Sequence, residues 1–164
     1  MSDEFKQRAL RHMGWANLEM LKILSGLSSD TLNFSAWNSE WTVAKVVHHI
    51  VISQGRLISR ATGEAAPKEI DVPLTATDIE ALVPIFKERD AHMLALANLP
   101  ERVLKFQRFG MDTEFLTTTI LVQAVHHAAE HRTQISDILA ANRMDVFNLD
   151  ELDLWHFEGW ERNR

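Results

Sequence analysis

Two histidines one helical turn apart, His127 and His131, are the residues whose types and spacing most directly suggest chemistry. They lie in the stretch HHAAEHRTQI. Side chains four residues apart lie one above the other on a helix, so both imidazoles can reach one metal ion. Such an ion supplies a partner to both neutral rings at once. The alternative is two histidines at the edge of a core, each hydrogen-bonded to a carbonyl or to a neighbouring helix. The pair alone is compatible with either interpretation.

The neighbouring histidine, His126, is separated from this pair by the helical pattern. At 100° per residue, the apolar residues of the predicted helix form one face. This face consists of Ile120, Leu121, Ala124, Ala128, Ile135, Ile138 and Leu139. His127 and His131 fall at its edge, whereas His126 falls on nearly the opposite side, where we expect water.

A third ligand has to come from another helix, and the stretch VVHHI offers two histidines. His48 and His49 straddle the two flanks of the apolar stripe of that helix, so periodicity does not choose between them. One of the two is expected beside the core. The remaining histidines, His12, His92 and His156, have no partner at a useful spacing, and we predict that they are surface residues.

No general base is evident beside the histidine pair. The pattern is not HExxH, because Ala128 follows His127, so the carboxylate base of that class of metalloprotease is absent. Glu130 projects away from the ligand face and is predicted to be solvated. Gln134 lies beside the pair and is either a hydrogen-bond partner of a ligand or a surface amide. Catalytic residues other than the ligands stay unassigned.

Other polar and aromatic residues carry weaker expectations. Arg132 is expected to pair with acidic residues of a neighbouring helix, and Asn17 is a further polar residue that could meet the site. We expect the five tryptophans to anchor the core or an interface rather than to form a cofactor site. They are Trp15, Trp37, Trp41, Trp155 and Trp160.

Composition narrows the class of protein. The chain has 164 residues, of which 46% are hydrophobic and 24% charged, with a net charge of −6. No Lys/Arg cluster is dense enough for nucleic acid, and the apolar runs fall short of the roughly 20 residues that span a membrane. The start of the chain lacks the pattern of a signal peptide, so the cytoplasm is the expected location. Because there is no cysteine, a metal has to be held by His, Asp or Glu.

The positions of apolar residues predict four long helices and no sheet. Loops separate them, and Thr42 is a plausible N-cap for the second helix, as Thr75 or Thr77 is for the third. Residues 103–115 form either a short strand or an irregular loop, and the Trp-rich tail is expected to pack down. The predicted fold is a single domain over residues 1–164, an all-α four-helix bundle. The predicted helices run from about Asp3 to Leu27, Val43 to Thr62, Asp78 to Ala97, and Glu114 to Ala141.

Four stretches of the chain resemble the DinB/YfiT-like superfamily. They are GWANLEMLKILSGLSSDTL, WTVAKVVHHIVIS, HAAEHRTQI and the closing LDLW. The HxxxHRxQ element is the most specific, although Thr133 stands where a glycine is common. The resemblance implies a bundle with up-down-down-up connectivity and a divalent metal, nickel or zinc, held by three histidines. Carried over residue by residue, these are His49, His127 and His131.

The resemblance also implies a range of functions. Three imidazoles with an open coordination position are typical of catalytic rather than structural sites. The expected activity is that of a metal-dependent hydrolase, or of a transferase that uses a low-molecular-weight thiol, on a small-molecule substrate. A homodimer is expected as well. The alternatives are a non-catalytic metal-binding or stress-related dimeric bundle, and a bundle that holds no ion.

Overall fold

Four long α-helices dominate the computed structural model, which describes residues 3–164. The first two residues of the predicted domain lie outside the described residues. The long helices are α1 (Asp3–Ser25), α2 (Val43–Thr62), α3 (Ala76–Ala97) and α4 (Thr117–Ala141). A hairpin of β1 (Val103–Arg108) and β2 (Met111–Leu116) separates α3 from α4, and a fifth helix, α5 (Leu154–Arg162), closes the chain. The prediction of a four-helix bundle is confirmed, with the hairpin and α5 as additions.

The order of the helices around the bundle is α1, α3, α2, α4. α1 packs against α3 and α4, α2 packs against the same two helices, and α1 lies diagonally opposite α2. α1 and α3 are antiparallel, because Gln7 near the start of α1 bonds to Asn98 just after the end of α3. Further along α1, Gly14 lies beside Asp90, which is in the second half of α3.

The directions of the remaining helices follow from their contacts with α4. α1 and α4 are parallel, because Arg132 donates to Asn17 and, after the two helices, Asn142 donates to the carbonyl of Ser35. α2 and α4 are antiparallel: the second turn of α2 meets the third turn of α4, while the end of α2 and the start of α4 border one cavity. The connectivity is therefore up-down-down-up, as predicted. None of the helices within residues 3–164 has the length and hydrophobicity that a membrane crossing requires.

Two helix starts are set by threonine caps. The side chain of Thr42 accepts a hydrogen bond from the backbone N–H of Lys45 at 3.3 Å, which confirms the predicted N-cap of α2. Thr75, rather than Thr77, caps α3, where it forms a reciprocal capping box with Asp78. The helix therefore begins at Ala76, two residues before the predicted start, because Asp78 occupies the third helical position.

The predicted start of α4 at Glu114 is wrong by three residues. The stretch before Thr117 pairs instead with residues 103–108 in an antiparallel hairpin. Its two-residue turn, Phe109 and Gly110, has positive φ at both positions, 53° and 76°, as the tightest hairpin turns require. Of the two alternatives for residues 103–115, the strand is therefore correct, and a second strand follows it.

The C-terminal tail packs down, as predicted, through helix α5. Phe157 is fully buried, and its ring lies 5.6 Å from the rings of both Trp15 and His12. The expectation that His12 is a surface residue is wrong, since its Nε2 lies 2.8 Å from the carbonyl oxygen of Leu152. The partner comes from the far end of the chain, which spacing within α1 cannot reveal. His92 and His156 are exposed, as expected.

Two helical glycines differ in the space around them, which gives a matched test of the α1–α3 packing. A Cβ atom at Gly14 would lie 2.7 Å from Oδ2 of Asp90, a short side chain held by Gln54, whereas a Cβ atom at Gly159 meets nothing within 4 Å. We expect Gly14→Ala to destabilise the protein by about 1–3 kcal/mol through overpacking. Gly159→Ala should be neutral or stabilise it by up to about 1 kcal/mol. Urea unfolding measures both, and equal effects would contradict the close contact between α1 and α3.

Candidate metal centre

Three histidines from two helices lie together at the inner side of α2 and α4. His49 comes from α2, and His127 and His131 come from α4. The Nε2 atoms of His49 and His127 are 3.0 Å apart, and one ring nitrogen from each of the three lies within 4.8 Å of the others. All three side chains are half-buried. The fold thus brings together the three residues that the resemblance singles out, and the cluster is consistent with a metal site.

The two adjacent histidines of α2 point to different surroundings. The Nε2 of His48 lies 2.8 Å from the carbonyl oxygen of Ile70, in the segment that connects α2 to α3. Its ring holds that connection against the helix and takes no part in the cluster. His49 faces α4, and Ser53, one turn further along α2, places its hydroxyl 3.5 Å from the Nε2 of His49. Periodicity does not choose between His48 and His49, and the contact of His48 with the loop leaves His49 as the histidine beside the cluster.

The surroundings of the cluster favour the neutral form of His49 and His127. Burial, together with the nearby His131 and His49, lowers the pKa of His127 to about 4. Burial also lowers the pKa of His49, with smaller contributions from His131 and Arg56. Neutral rings keep a nitrogen lone pair, which is the form in which histidine binds a metal.

A glutamine fixes the orientation of one ring. The Nδ1 of His131 lies 2.8 Å from Oε1 of Gln134, one turn further along α4. Because an amide oxygen only accepts, the Nδ1–H of His131 donates, which leaves its Nε2 lone pair free. A partner of this kind commonly orients metal-binding histidines. Of the two interpretations of Gln134 from the sequence, the hydrogen-bond partner is the one observed.

The donor set fits a divalent metal ion. Ligands about 2.0–2.1 Å from a tetrahedral ion are separated from one another by roughly 3.3 Å. The separation of 3.0 Å between two of the nitrogens, and the limit of 4.8 Å for all three, lie on either side of that value. Three neutral nitrogens suit zinc and nickel alike, so the residues do not choose between these metals.

Trp41 forms an aromatic wall on one side of the cluster. Its ring is stacked on His131, with centroids 6.1 Å apart and planes inclined by 8°, and meets His49 edge-on at 5.2 Å. The residue directly precedes the cap Thr42, so the start of α2 also positions the indole ring. The sequence predicted only a general anchoring role for Trp41, because the loop that carries it has no periodicity to follow.

A cavity of about 420 Å³ opens beside the cluster. It lies between the end of α2, the start of α4 and the hairpin, and His49 and His127 belong to its lining. The other lining residues are Ser53, Arg56, Leu57, Arg60, Phe106, Arg108, Phe109, Phe115, Thr119, Ile120 and Gln123. No Asp or Glu occurs among these lining residues. The two residues predicted to face away, His126 and Glu130, are both exposed.

Buried polar side chains lie on the other side of the cluster. The prediction that Arg132 pairs with acidic residues is wrong, because its guanidinium donates to Oδ1 of Asn17 at 2.6 Å. Burial lowers the pKa of Arg132 to about 10. Asn17 does approach the site, since it shares a small internal cavity with His127 and Gln54.

Gln54 and Asp90 form a polar pair that the sequence does not predict. Gln54 of α2 donates to Asp90 of α3 at 2.6 Å, and burial raises the pKa of Asp90 to about 6. Both residues interrupt apolar faces, and a polar residue at a core position is the signal that could have identified them. Their distance in sequence hides the pairing itself.

The fold and the site together define the class of protein: a four-helix bundle that carries a cluster of three histidines between two of its helices. A family model described as the DinB superfamily matches residues 12–135, which is more than half of the chain. The chain therefore belongs to the DinB superfamily, and the three clustered histidines lie within the matched region. No curated protein sequence matches the chain.

The hydrogen bond from His131 to Gln134 gives a prediction about metal affinity. Gln134→Leu removes the acceptor and frees the ring to change its tautomer, so zinc affinity should fall by about 10–100-fold. Gln134→Glu keeps an acceptor and should retain affinity. Gln123→Leu, elsewhere on α4, serves as the matched control. Competition with a chelating dye measures all four proteins, and equal affinities for the Leu and Glu variants at position 134 would contradict an orienting role.

Proposed function

We propose that this protein is a metal-dependent enzyme that acts on a small molecule at His49, His127 and His131. The three residues would hold one divalent ion, nickel or zinc. The observation that carries the proposal is the position of the cluster. The imidazoles converge at the edge of a cavity of about 420 Å³, a volume suited to a small ligand. A purely structural site needs no such opening.

Two reaction classes suit this arrangement: hydrolysis of a small molecule, and group transfer that uses a low-molecular-weight thiol as co-substrate. When bound, the metal supplies Lewis acidity towards a substrate carbonyl or thiol. The protein's own residues have separate tasks. Gln134 and Trp41 orient the rings, and Ser53 places a hydroxyl beside His49. Phe106, Phe109 and Phe115 of the hairpin line the cavity and would limit access of water from that side.

A non-catalytic metal-binding bundle is the second candidate. The observation in its favour is the absence of any carboxylate among the residues that line the cavity. Hydrolytic sites commonly use a carboxylate or a histidine that is not a ligand as general base. In the thiol-transfer reaction a base is less necessary, because a metal ion itself favours the deprotonated thiol.

The metal content and the activity of matched histidine variants test this proposal. Protein purified without chelators should contain about one divalent ion per chain, and His49→Ala and His131→Ala should lose it. His126→Ala, exposed on the opposite face of α4, should keep it. A screen of esters, amides and thiol-conjugation substrates should detect activity in the wild type and in His126→Ala alone.

The outcomes separate the candidates. Wild-type protein without stoichiometric metal would leave only a structural bundle. Metal binding without turnover in any of the screens would favour the non-catalytic candidate. Activity that persists in both His49→Ala and His131→Ala would place the reaction at another site.

We also propose that the protein forms a homodimer in the cytoplasm. Support comes from apolar side chains that lie on the surface of the described chain. Trp155, Leu154 and Trp37 are 82%, 52% and 64% exposed. Contiguous exposed apolar groups, such as the sequence neighbours Leu154 and Trp155, are typical of surfaces that bind another protein. The mass in solution, measured by light scattering, should be twice that of one chain, and a monomer at micromolar concentration would contradict the proposal.

A further inference from the structure

The cavity beside the histidine cluster is positively charged, although the protein as a whole is acidic. The chain carries 23 acidic and 17 basic residues. The cavity lining nevertheless contains Arg56, Arg60 and Arg108 and no acidic side chain. A concave surface with charges of one sign concentrates the field and attracts ligands of the opposite sign.

These three arginines are not neutralised by the protein. Among the described residues none of them forms an ion pair with an acidic side chain, whereas Arg8, Arg11 and Arg162, outside the cavity, are paired with glutamates, and other arginines, such as Arg132, bond to neutral groups. All three are exposed to solvent where they line the cavity. Unpaired guanidinium groups in a pocket are the groups that bind carboxylates and phosphates in two-point contacts.

Two of the arginines continue a line of side chains that begins at the cluster. His49, Ser53, Arg56 and Arg60 occupy successive turns on the same face of α2. With a rise of about 1.5 Å per residue, Arg56 lies roughly 10 Å and Arg60 roughly 16 Å from His49 along the helix axis. Arg108 reaches the same cavity from the end of β1. The positive charge therefore lies at a distance from the reacting end, on both walls.

Aromatic rings hold two of the guanidinium groups without neutralising them. The guanidinium of Arg60 lies 5.5 Å from the ring centroid of Phe106, and that of Arg108 lies 4.6 Å from the centroid of Phe109. Such cation–π contacts orient an arginine and leave its N–H donors available. The same rings, with Phe115 nearby, provide an apolar surface beside the charge.

Phe109 is an unusual residue for its position. It occupies the first place of the hairpin turn with φ of 53°, where asparagine, aspartate or glycine is ordinarily found. It is also 83% exposed, so packing within the chain does not explain it. Strained residues that contribute nothing to packing are concentrated at ligand-binding sites. A ring at the mouth of the cavity is in place to cover a bound molecule.

We propose that the cavity binds a small molecule that combines an apolar body with an anionic group. The apolar body lies against the phenylalanines of the hairpin, the anionic group is bound by Arg56, Arg60 and Arg108, and the reactive end faces the three histidines. This substrate class rests on the proposed function for the reactive end. The binding of the anionic group depends on the arginines alone.

Matched probes that differ only in the terminal group test the proposal. Phenylbutyrate and phenylbutyl phosphate carry an anion, phenylbutanol is neutral and phenylbutylamine is cationic. Titration calorimetry on metal-free and zinc-loaded protein should give about tenfold tighter binding of at least one anionic probe than of the alcohol, and the weakest binding for the amine. The tighter of the two anions identifies the anionic group.

Substitutions identify the arginines and the aromatic ring as the cause. Arg60→Gln and Arg108→Gln should each weaken the anionic probe about tenfold and leave the alcohol unchanged. Arg143→Gln, which removes an exposed charge outside the cavity, is the matched control and should stay within about twofold. Phe109→Asn suits the turn, so it should keep or raise the melting temperature while it weakens all the aromatic probes.

The two proposals fail in different ways. If zinc does not bind, but the anionic probe binds to metal-free protein and this binding depends on the arginines, only the proposed function is overturned. If zinc binds, two results would overturn the proposal of an anionic substrate. One is an affinity for the alcohol as high as for both anions. The other is equal affinity for the anionic probe in Arg60→Gln, Arg108→Gln and the control Arg143→Gln. The proposal of an anionic substrate would also be overturned if the anionic probes bound more tightly than the alcohol only in zinc-loaded protein, because the anion would then bind at the cluster.

Discussion

The close approach of three imidazoles from two antiparallel helices is the constraint on which the rest of the structure depends. Two of the ring nitrogens, those of His49 and His127, are only 3.0 Å apart, and burial lowers the pKa of both histidines. Protonation of both rings would create repulsion that a half-buried position screens poorly. The packing of α2 against α4 has to hold the rings in place. Gln134 and Trp41 then limit the remaining freedom of rotation.

The hairpin converts a bundle into a protein with a pocket. Four helices alone would leave the histidines at the side of a cylinder, open to water. The insertion of β1 and β2 before α4 adds a wall of three phenylalanines and one arginine opposite the end of α2. One face of α2 therefore serves two purposes: its second turn contributes His49, and its last turns contribute the positive charge. The reactive and the charged ends of the cavity are held by the same rigid helix.

The sequence predicted what depends on local periodicity and missed what depends on distant contacts. The shared face of His127 and His131 follows from spacing within one helix. The choice of His49 over His48 came from the family resemblance, because the carbonyl of Ile70 that binds His48 belongs to a loop. His12 was misassigned for the same reason, since its partner lies about 140 residues further along the chain. For residues 103–115 the sequence does not choose between a strand and a loop, because these residues are too polar and too few to show a clear alternation.

Buried polar contacts explain how one arrangement of the helices is selected from several with similar apolar packing. Arg132 of α4 bonds to Asn17 of α1, and Gln54 of α2 bonds to Asp90 of α3. Each of the four long helices thus contributes a side chain to these two polar contacts. An apolar core tolerates a shift of one helix along another, but a shift here would leave a guanidinium or an amide buried without a partner. Because Asn17 and Gln54 share a small cavity with His127, the register that forms these two contacts is also the register that brings the histidines together.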